Sequence, residues 1–373
     1  MIPACRVIPN GREVSAFEAP PAASMKPRLV SGMQPTGLLH IGNLEGALAN
    51  WVRLQDEYEA YFFVADWHAL TSLYDRTELI TKHTREVAID FLAAGLDPDK
   101  CAIFVQSDVK EHAELHLLLS MVTPVAWLER VPSYKEKLAE LTPLVSSPSE
   151  RQGKDSSAPG REGYRGRPEA ISYGLMGYPV LQTADILAYK ADGAPVGRDQ
   201  LPHLELAREI GRRFNYLYGP TFPDCRALMT EYPEMPGLDG RKMSKSYDNA
   251  IYIADSEQQT IEKVRSMYTD PLKVHRHDKG HREGCAVYKM MAAYGRADLH
   301  EDCEAGRIGC VETKDRLAAL LNKRLAPIRE RRRYFEANPS VVDGVLAAGA
   351  KKARKTARET LEQVRAAMRL RRE

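Results

Sequence analysis

The chain has 373 residues, enough for two domains and a sizeable core. Its 43% apolar and 28% charged residues exclude a disordered chain, and no apolar run approaches the length of a membrane span or the core of a signal peptide. Net charge is only +2, but residues 323–373 hold fifteen Lys/Arg against six Asp/Glu, a local +9 on a body of −7. This excludes a protein coated in basic charge and suits docking of one anionic partner on one face.

Residues 1–25 mix Pro, Ala and small polar residues without a period and read as a disordered leader. Arg28-Leu29-Val30 reads as a strand running into the turn Ser31 to Gly46. There Gly32, Gly37 and Gly42 would let phosphates approach main-chain N–H groups, ahead of a helix over 44–54 with its positive N-terminal end. A strand over 61–65, a helix over 78–94 closed by Gly95 and a strand over 102–105 continue the βαβα rhythm. The expected fold is therefore α/β: a doubly wound parallel, Rossmann-like sheet with ligands at the carboxyl ends of its strands. Asp66-Trp67-His68 stands at such an end, either lining a site or capping the strand.

A helix over 111–121 follows. Residues 143–168 are rich in Ser, Gly, Pro, Arg and Lys, cannot bury enough surface to offset ordering, and read as a mobile insertion. From Tyr178 a further helix is expected, with Pro179 in its first turn. Tyr178, Gln182 and Asp185 then share one face, which must meet water or a ligand, because buried unpaired polar groups are costly. Pro195-Val196-Gly197-Arg198-Asp199-Gln200 closes another strand, and an amphipathic helix over 204–214 leads away. Lys242-Met243-Ser244-Lys245-Ser246 sits in a loop between Gly240 and Asn249. From Ser256 onward the pattern is helical: 257–267, 286–294, 313–336 and 341–370. The expected organisation is a catalytic domain over 26–254, a helical domain over 255–340, and a C-terminal helix in 341–373 packing back on the body.

His40-Ile41-Gly42-Asn43 and Lys242-Met243-Ser244-Lys245-Ser246 resemble the HIGH and KMSKS signatures of class I aminoacyl-tRNA synthetases, with Asn43 in place of the second His. The wording Gly32-Met33-Gln34-Pro35-Thr36-Gly37 is similar to the tryptophanyl branch, and the likeness runs from about Arg28 to the C-terminus with one insertion. The resemblance implies ATP-dependent activation of L-tryptophan and its transfer to tRNA(Trp), by a cytoplasmic homodimer with no membrane association. ATP would fall to Gln34, Pro35, Thr36, Gly42, Asn43, Lys242, Met243, Ser244 and Lys245. Catalytic roles would fall to His40, Asn43, Lys242, Lys245 and Ser246, and to Lys137 on a loop near the phosphates. Tryptophan would meet Gly32, His68, Tyr178, Gln182, Asp185, Asp199 and Gln200, with Asp185 accepting the indole N–H. Mg²⁺ would be held mainly by phosphates. The helical domain and basic C-terminal region, including Arg331, Arg332 and Arg333, would bind tRNA.

Such a reaction aligns two reactants and needs no enzyme nucleophile, which agrees with the lack of any Ser/His/Asp or Cys/His constellation. Six cysteines, Cys5, Cys101, Cys225, Cys285, Cys303 and Cys310, are scattered too widely for a disulfide framework. Some members of the branch bind a [4Fe–4S] cluster through four thiolates. Cys285, Cys303 and Cys310 supply three, and Thr313 stands where the fourth is expected, a defect against a cluster. Two alternatives stay open: a tyrosyl-tRNA synthetase, which shares the fold and both signatures, and a synthetase-like auxiliary or regulatory binding protein.

Overall fold

Ala60, Phe62 and Val64 of one short strand join one hydrophobic cluster while Tyr61, Phe63 and Ala65 join another, so this segment is buried on both faces. It is strand β2 (Glu59–Val64) of a parallel five-stranded sheet with β1 (Arg28–Met33), β3 (Cys101–Val105), β4 (Gly193–Val196) and β5 (Arg226–Met229). The strand order is β3-β2-β1-β4-β5. The chain winds outward from β1 in one direction and then from β4 in the other, so the switch in order lies between β1 and β4. The computed structural model describes residues 26–132, 172–229 and 234–370. The expected leader, Lys137 and the expected insertion lie outside them.

One face of the sheet carries helix α1, which runs as Ile41–Asn43, a π segment Leu44–Leu48 and Ala49–Leu54. It starts earlier than the apolar pattern suggested, and Trp51 stacks on Phe62 at 4.8 Å. Beside it lie α2 (Asp66–Leu73) and α3 (Thr77–Ala94), the latter closed by Gly95 at φ +115°, a left-handed cap that glycine takes without strain. Helices α4 (Glu111–Ser120), α5 (Val125–Leu128), α6 (Tyr173–Leu187) and α7 (Leu201–Tyr218) complete the sheet's flanks. Ser172, not Pro179, starts α6: its hydroxyl accepts the Leu175 N–H at 3.1 Å, and Pro179 lies inside the helix, a correction to the first-turn reading.

Beyond Ser256 the named elements are helical: α8 (Glu257–Ser266), α9 (Ala286–Ala293), α10 (Glu301–Glu304), α11 (Cys310–Ala337) and α12 (Pro339–Ala367). Helix α11 packs on α3 and α8, and α12 lies along β3, covering the sheet edge there. Gly349 permits that contact, because a Cβ there would stand 1.9 Å from the Ile103 carbonyl oxygen. The basic run on α11 is divided by this packing. Arg332 is buried among Asp90, Glu86 and Glu336, whereas Arg331, which donates to the Ala93 carbonyl at 2.6 Å, and Arg333 are exposed. The expectation that all three face tRNA is therefore corrected for Arg332, which is spent on fastening the helical region to α3.

Candidate active site

The two signatures lie two hundred residues apart in sequence and touch in space. Ile41 N–H donates to the Ile251 carbonyl at 3.0 Å and Ile253 N–H to the Leu39 carbonyl at 2.9 Å. The segment just after the lysine loop is thus pinned to the turn between β1 and α1. This brings Lys245 over the turn, where its Nζ donates to the Gly37 carbonyl at 2.9 Å. Burial pushes the Lys245 ammonium down to about 8, against the pull of the Asp90 charge.

His40 caps α1 and is nearly buried. Its Nδ1 accepts the Asn43 N–H at 3.3 Å, and its own N–H donates to Asn43 Oδ1 at 3.1 Å. Asn43 thereby closes a capping box with His40, as its residue at the third helical position, a structural use that departs from the usual signature. Among the described residues His40 Nε2 and Asn43 Nδ2 are the polar side-chain atoms that the box does not use. Burial, and then the Lys245 charge, push His40 down to about 4, so it is neutral near pH 7. Gly42 is required by this arrangement: a Cβ would stand 2.9 Å from His40 Nδ1. Gln34 and Thr36 are exposed on the turn and Pro35 is buried.

The lysine loop is braced from below. Asn249 is buried, accepts the Ser244 N–H at 2.8 Å and donates to Asp239 and to the Lys242 carbonyl. Met243 is buried, Ser246 is exposed, and exposed Lys242 pairs with Glu234 at 3.0 Å.

Asp185 on α6 is the second focus and is almost wholly buried. Its Oδ2 receives His68 Nε2 at 2.7 Å, and its Oδ1 receives Gln106 Nε2 at 2.7 Å and His112 Nδ1 at 2.5 Å. Burial pushes the carboxyl up, but the hydrogen bonds and charges of His112 and His68 outweigh it and hold the group well below the usual carboxylate range. At Asp185 the face of α6 is thus met by His68, Gln106 and His112, side chains from other elements. Tyr178 is buried against the His68 and His203 rings. Gln182 Nε2 donates to Gln200 Oε1 at 3.5 Å, and Gln200 Nε2 to Asp199 Oδ2 at 3.1 Å. A cavity of about 240 Å³ opens between α2 and α6 beside these groups, with Trp67, His116 and Tyr178 in its wall.

Neighbouring residues divide the work at the end of β2. Asp66 Oδ1 accepts the N–H groups of Trp67 and Ser107 and ties β2 to β3, while His68 turns to Asp185. Gly32 is exposed at the end of β1, and a Cβ there would collide with the Phe63 ring at 2.4 Å, which is a packing reason for glycine. Gln106 and His112 escaped the sequence reading. Gln106 follows β3 as His68 follows β2, so the rule that ligands gather at strand carboxyl ends would have found it. His112 gave no signal short of its burial.

Among the described residues no group of three His, Cys, Asp or Glu side chains is placed to hold a metal. Cys285, Cys303 and Cys310 do line one void, with His300 and Thr313, but it measures about 10 Å³, room for roughly one water. The Thr313 hydroxyl donates to the Gly309 carbonyl, and burial pushes the Cys303 thiol up. Three thiols around such a void do not fit a [4Fe–4S] cluster.

A doubly wound parallel sheet whose first turn receives a lysine from a distant loop, with further polar groups gathered at the ends of β2, β3 and β4, defines an α/β nucleotide-binding enzyme. The chain belongs to the class I tRNA synthetases of the tryptophan and tyrosine family, which match it over residues 23–326. It is 48% identical to "Tryptophan--tRNA ligase" of Thermotoga maritima, over 92% of this chain and 99% of that one. It is 44% identical to the protein of the same name from Aquifex aeolicus, over 92% and 100%. A solved tryptophanyl-tRNA synthetase from Campylobacter jejuni, complexed with ADP and tryptophan, superposes with a TM-score of 0.76 at 34% identity, over 91% of this chain and 99% of that one. These relatives bear out the expected fold class, the aminoacyl-tRNA ligase reading and the tryptophanyl branch.

Proposed function

We propose that the protein activates L-tryptophan with ATP and transfers it to tRNA(Trp). The tryptophan carboxylate oxygen forms a bond to the α-phosphorus, the bond to the bridging oxygen breaks, and pyrophosphate leaves with the electron pair. A ribose hydroxyl of the tRNA terminus then attacks the carbonyl carbon and AMP departs. The observation that carries the reading is the seating of Lys245 on the Gly37 carbonyl, within the field of His40 and at the switch point of the sheet. From there the ammonium neutralises charge that grows on the departing pyrophosphate, with Lys242 and Ser246 beside it. His40 and Asn43 polarise phosphate or ribose oxygens through the atoms their capping box leaves free. Met243 and Ser244 shape the loop, and Gln34, Pro35 and Thr36 carry the nucleotide's approach to the turn. A magnesium ion would be held mainly by the ATP phosphates and would supply further charge neutralisation there, since no group of three His, Cys, Asp or Glu side chains among the described residues is placed to hold one.

Asp185 accepts the indole N–H, Tyr178 and Gln200 hold the ammonium end with Asp199, and Gln182 positions Gln200. The exposed face of Arg333 and the basic C-terminal helix receive tRNA. Exposed Leu117, Met121 and Val125 lie together on α4, α5 and their junction and supply an apolar surface for a homodimer, which sedimentation at micromolar concentration should register as twice the chain mass. No helix among the described residues is long and apolar enough to cross a membrane, and a cytoplasmic location accords with a translation enzyme.

ATP–pyrophosphate exchange with each aromatic amino acid tests the reading. Tryptophan alone should support exchange. Faster exchange with tyrosine would give the site to the tyrosyl alternative, and no exchange with any of them would leave an auxiliary binding protein.

A further inference from the structure

Three donors hold Asp185, and all three come from the protein. An ionised carboxylate offers about four lone-pair positions. Gln106 and His112 occupy both on Oδ1, and His68 occupies one on Oδ2. We infer that His112, held from behind by Tyr189, fixes the Asp185 carboxylate so that a single acceptor direction, on Oδ2, remains for the donor of the amino-acid substrate. His112 is then the positioning residue for selectivity. The inference rests on the reading of Asp185 as the substrate's acceptor.

The geometry gives His112 little freedom. It is fully buried, its ring lies edge-on to Phe63 at 5.9 Å and to Tyr189 at 5.4 Å, and its Nε2 is 2.6 Å from the Tyr189 hydroxyl. Because Nδ1 faces a carboxylate, it must carry its hydrogen in either protonation state of the ring. Nε2 faces a hydroxyl, which donates or accepts as required, so the outer bond survives both states. Burial, with the Asp185 charge next, pushes the Tyr189 phenol well above its ordinary value and keeps that hydroxyl protonated. The Tyr189 ring in turn stacks on Tyr61 at 4.5 Å.

A second observation points to a missing donor. Gln106 is fully buried, spends its amide N–H on Asp185 and leaves Oε1 without a partner among the described residues. Two adjacent buried side chains therefore carry acceptor capacity that the described protein does not fill. Buried acceptors of this kind are costly unless a ligand supplies the hydrogen. An aromatic amino acid with one ring N–H supplies one such hydrogen, to the free direction on Asp185 Oδ2, and an analogue of the same shape without that N–H does not.

The test compares tryptophan with 3-(3-benzothienyl)alanine, in which sulfur replaces the indole N–H, by kcat/KM in ATP–pyrophosphate exchange. The wild type should prefer tryptophan by at least about tenfold. His112→Leu should lose most of that preference, chiefly through the KM for tryptophan, while the analogue stays within about threefold of wild type. His112→Asn, which keeps an N–H where Nδ1 stood, should retain the preference. Equal losses for both substrates in His112→Leu, with the wild type still discriminating, would overturn the inference and leave the Asp185 reading standing. A wild type that takes both equally would overturn that reading, and the inference would fall with it. Tyr189→Phe removes one hydroxyl and gives the same answer should His112→Leu not fold: the preference should narrow in the same direction, and an unchanged preference would overturn the inference.

Discussion

The Asp185 cluster and the lysine loop serve one proposed reaction with opposite designs. Around Asp185 the side chains are short or ring-shaped, buried, and bonded to one another by distances of 2.5 to 2.7 Å. Around Lys245 the only direct hold on the ammonium among the described residues is a backbone carbonyl, Ser246 is exposed, and Lys242 leans on an exposed glutamate. In the proposed reaction the difference follows from what each region would have to meet. A neutral ring N–H is told from its absence only by a dry acceptor fixed in advance, since water would satisfy a loose one. Charge that moves from one oxygen to another during the reaction is followed by long cations on a loop.

Removing one carboxylate should have the largest effect and should break the comparison at its rigid side. Asp185→Ala strands the His68, Gln106 and His112 donors in the interior, so unfolding in denaturant should show a loss of about 3–5 kcal/mol. A midpoint shifted by no more than a surface substitution would mean that the cluster relaxes or hydrates, and that the two regions differ less than the geometry says.

The second effect is kinetic. Lys245→Ala should lower the rate of adenylate formation by roughly 10²–10³-fold, the cost of losing one preorganised stabilising group, with thermal stability and tryptophan affinity nearly unchanged. A tryptophan dissociation constant that worsened in step with the rate would show that the lysine loop builds the amino-acid site as well.

pH separates the regions without mutation. Lys245 titrates at about 8 against an ordinary 10.5, so exchange activity should decline as pH rises through about 8. Tryptophan binding should stay flat there, because the Asp185 carboxyl titrates far below. Between about 8 and 10.5 the unfolded chain binds the lysine proton and the folded chain does not, so this group makes stability rise with pH across that window. Activity that held level to pH 9.5 would show that the ammonium is better solvated than its burial implies.

The smallest effect concerns tRNA. Arg333→Gln should reduce the slope of log affinity against log salt by about one unit and leave exchange unchanged. Arg332→Gln should instead unfold the α3–α11 contact, because Asp90 would lose its buried partner. A matching salt effect from both would return the basic run to a single tRNA-facing surface.

Much of this was legible before any coordinate. The strands at 61–65 and 102–105 are short apolar runs bounded by turn residues, and the helix at 78–94 ends at Gly95, a stop set by the local backbone. The word around Lys245 and the turn around His40 marked the proposed nucleotide side because each is continuous in the chain. Pro179 misled, since a helix in which Pro falls at an interior turn looks, from one side, like a helix that begins there. Arg332 misled for another reason: a basic run has the same composition whether its guanidinium groups meet phosphate or a buried carboxylate.

Sequence by itself determined the alternation of strand and helix, since each element depends on neighbours a few residues away, while the acceptor role proposed for Asp185 and the phosphate role proposed for the first turn came from the family resemblance. Only the tertiary structure decided that Leu39 and Ile41 pair with Ile253 and Ile251, that His40 and Asn43 spend atoms on each other, and that Gln106 and His112 reach Asp185 from 79 and 73 residues away. Those choices follow from which strand ends the sheet order places side by side, and strand order is a property of long-range packing that local pattern does not encode.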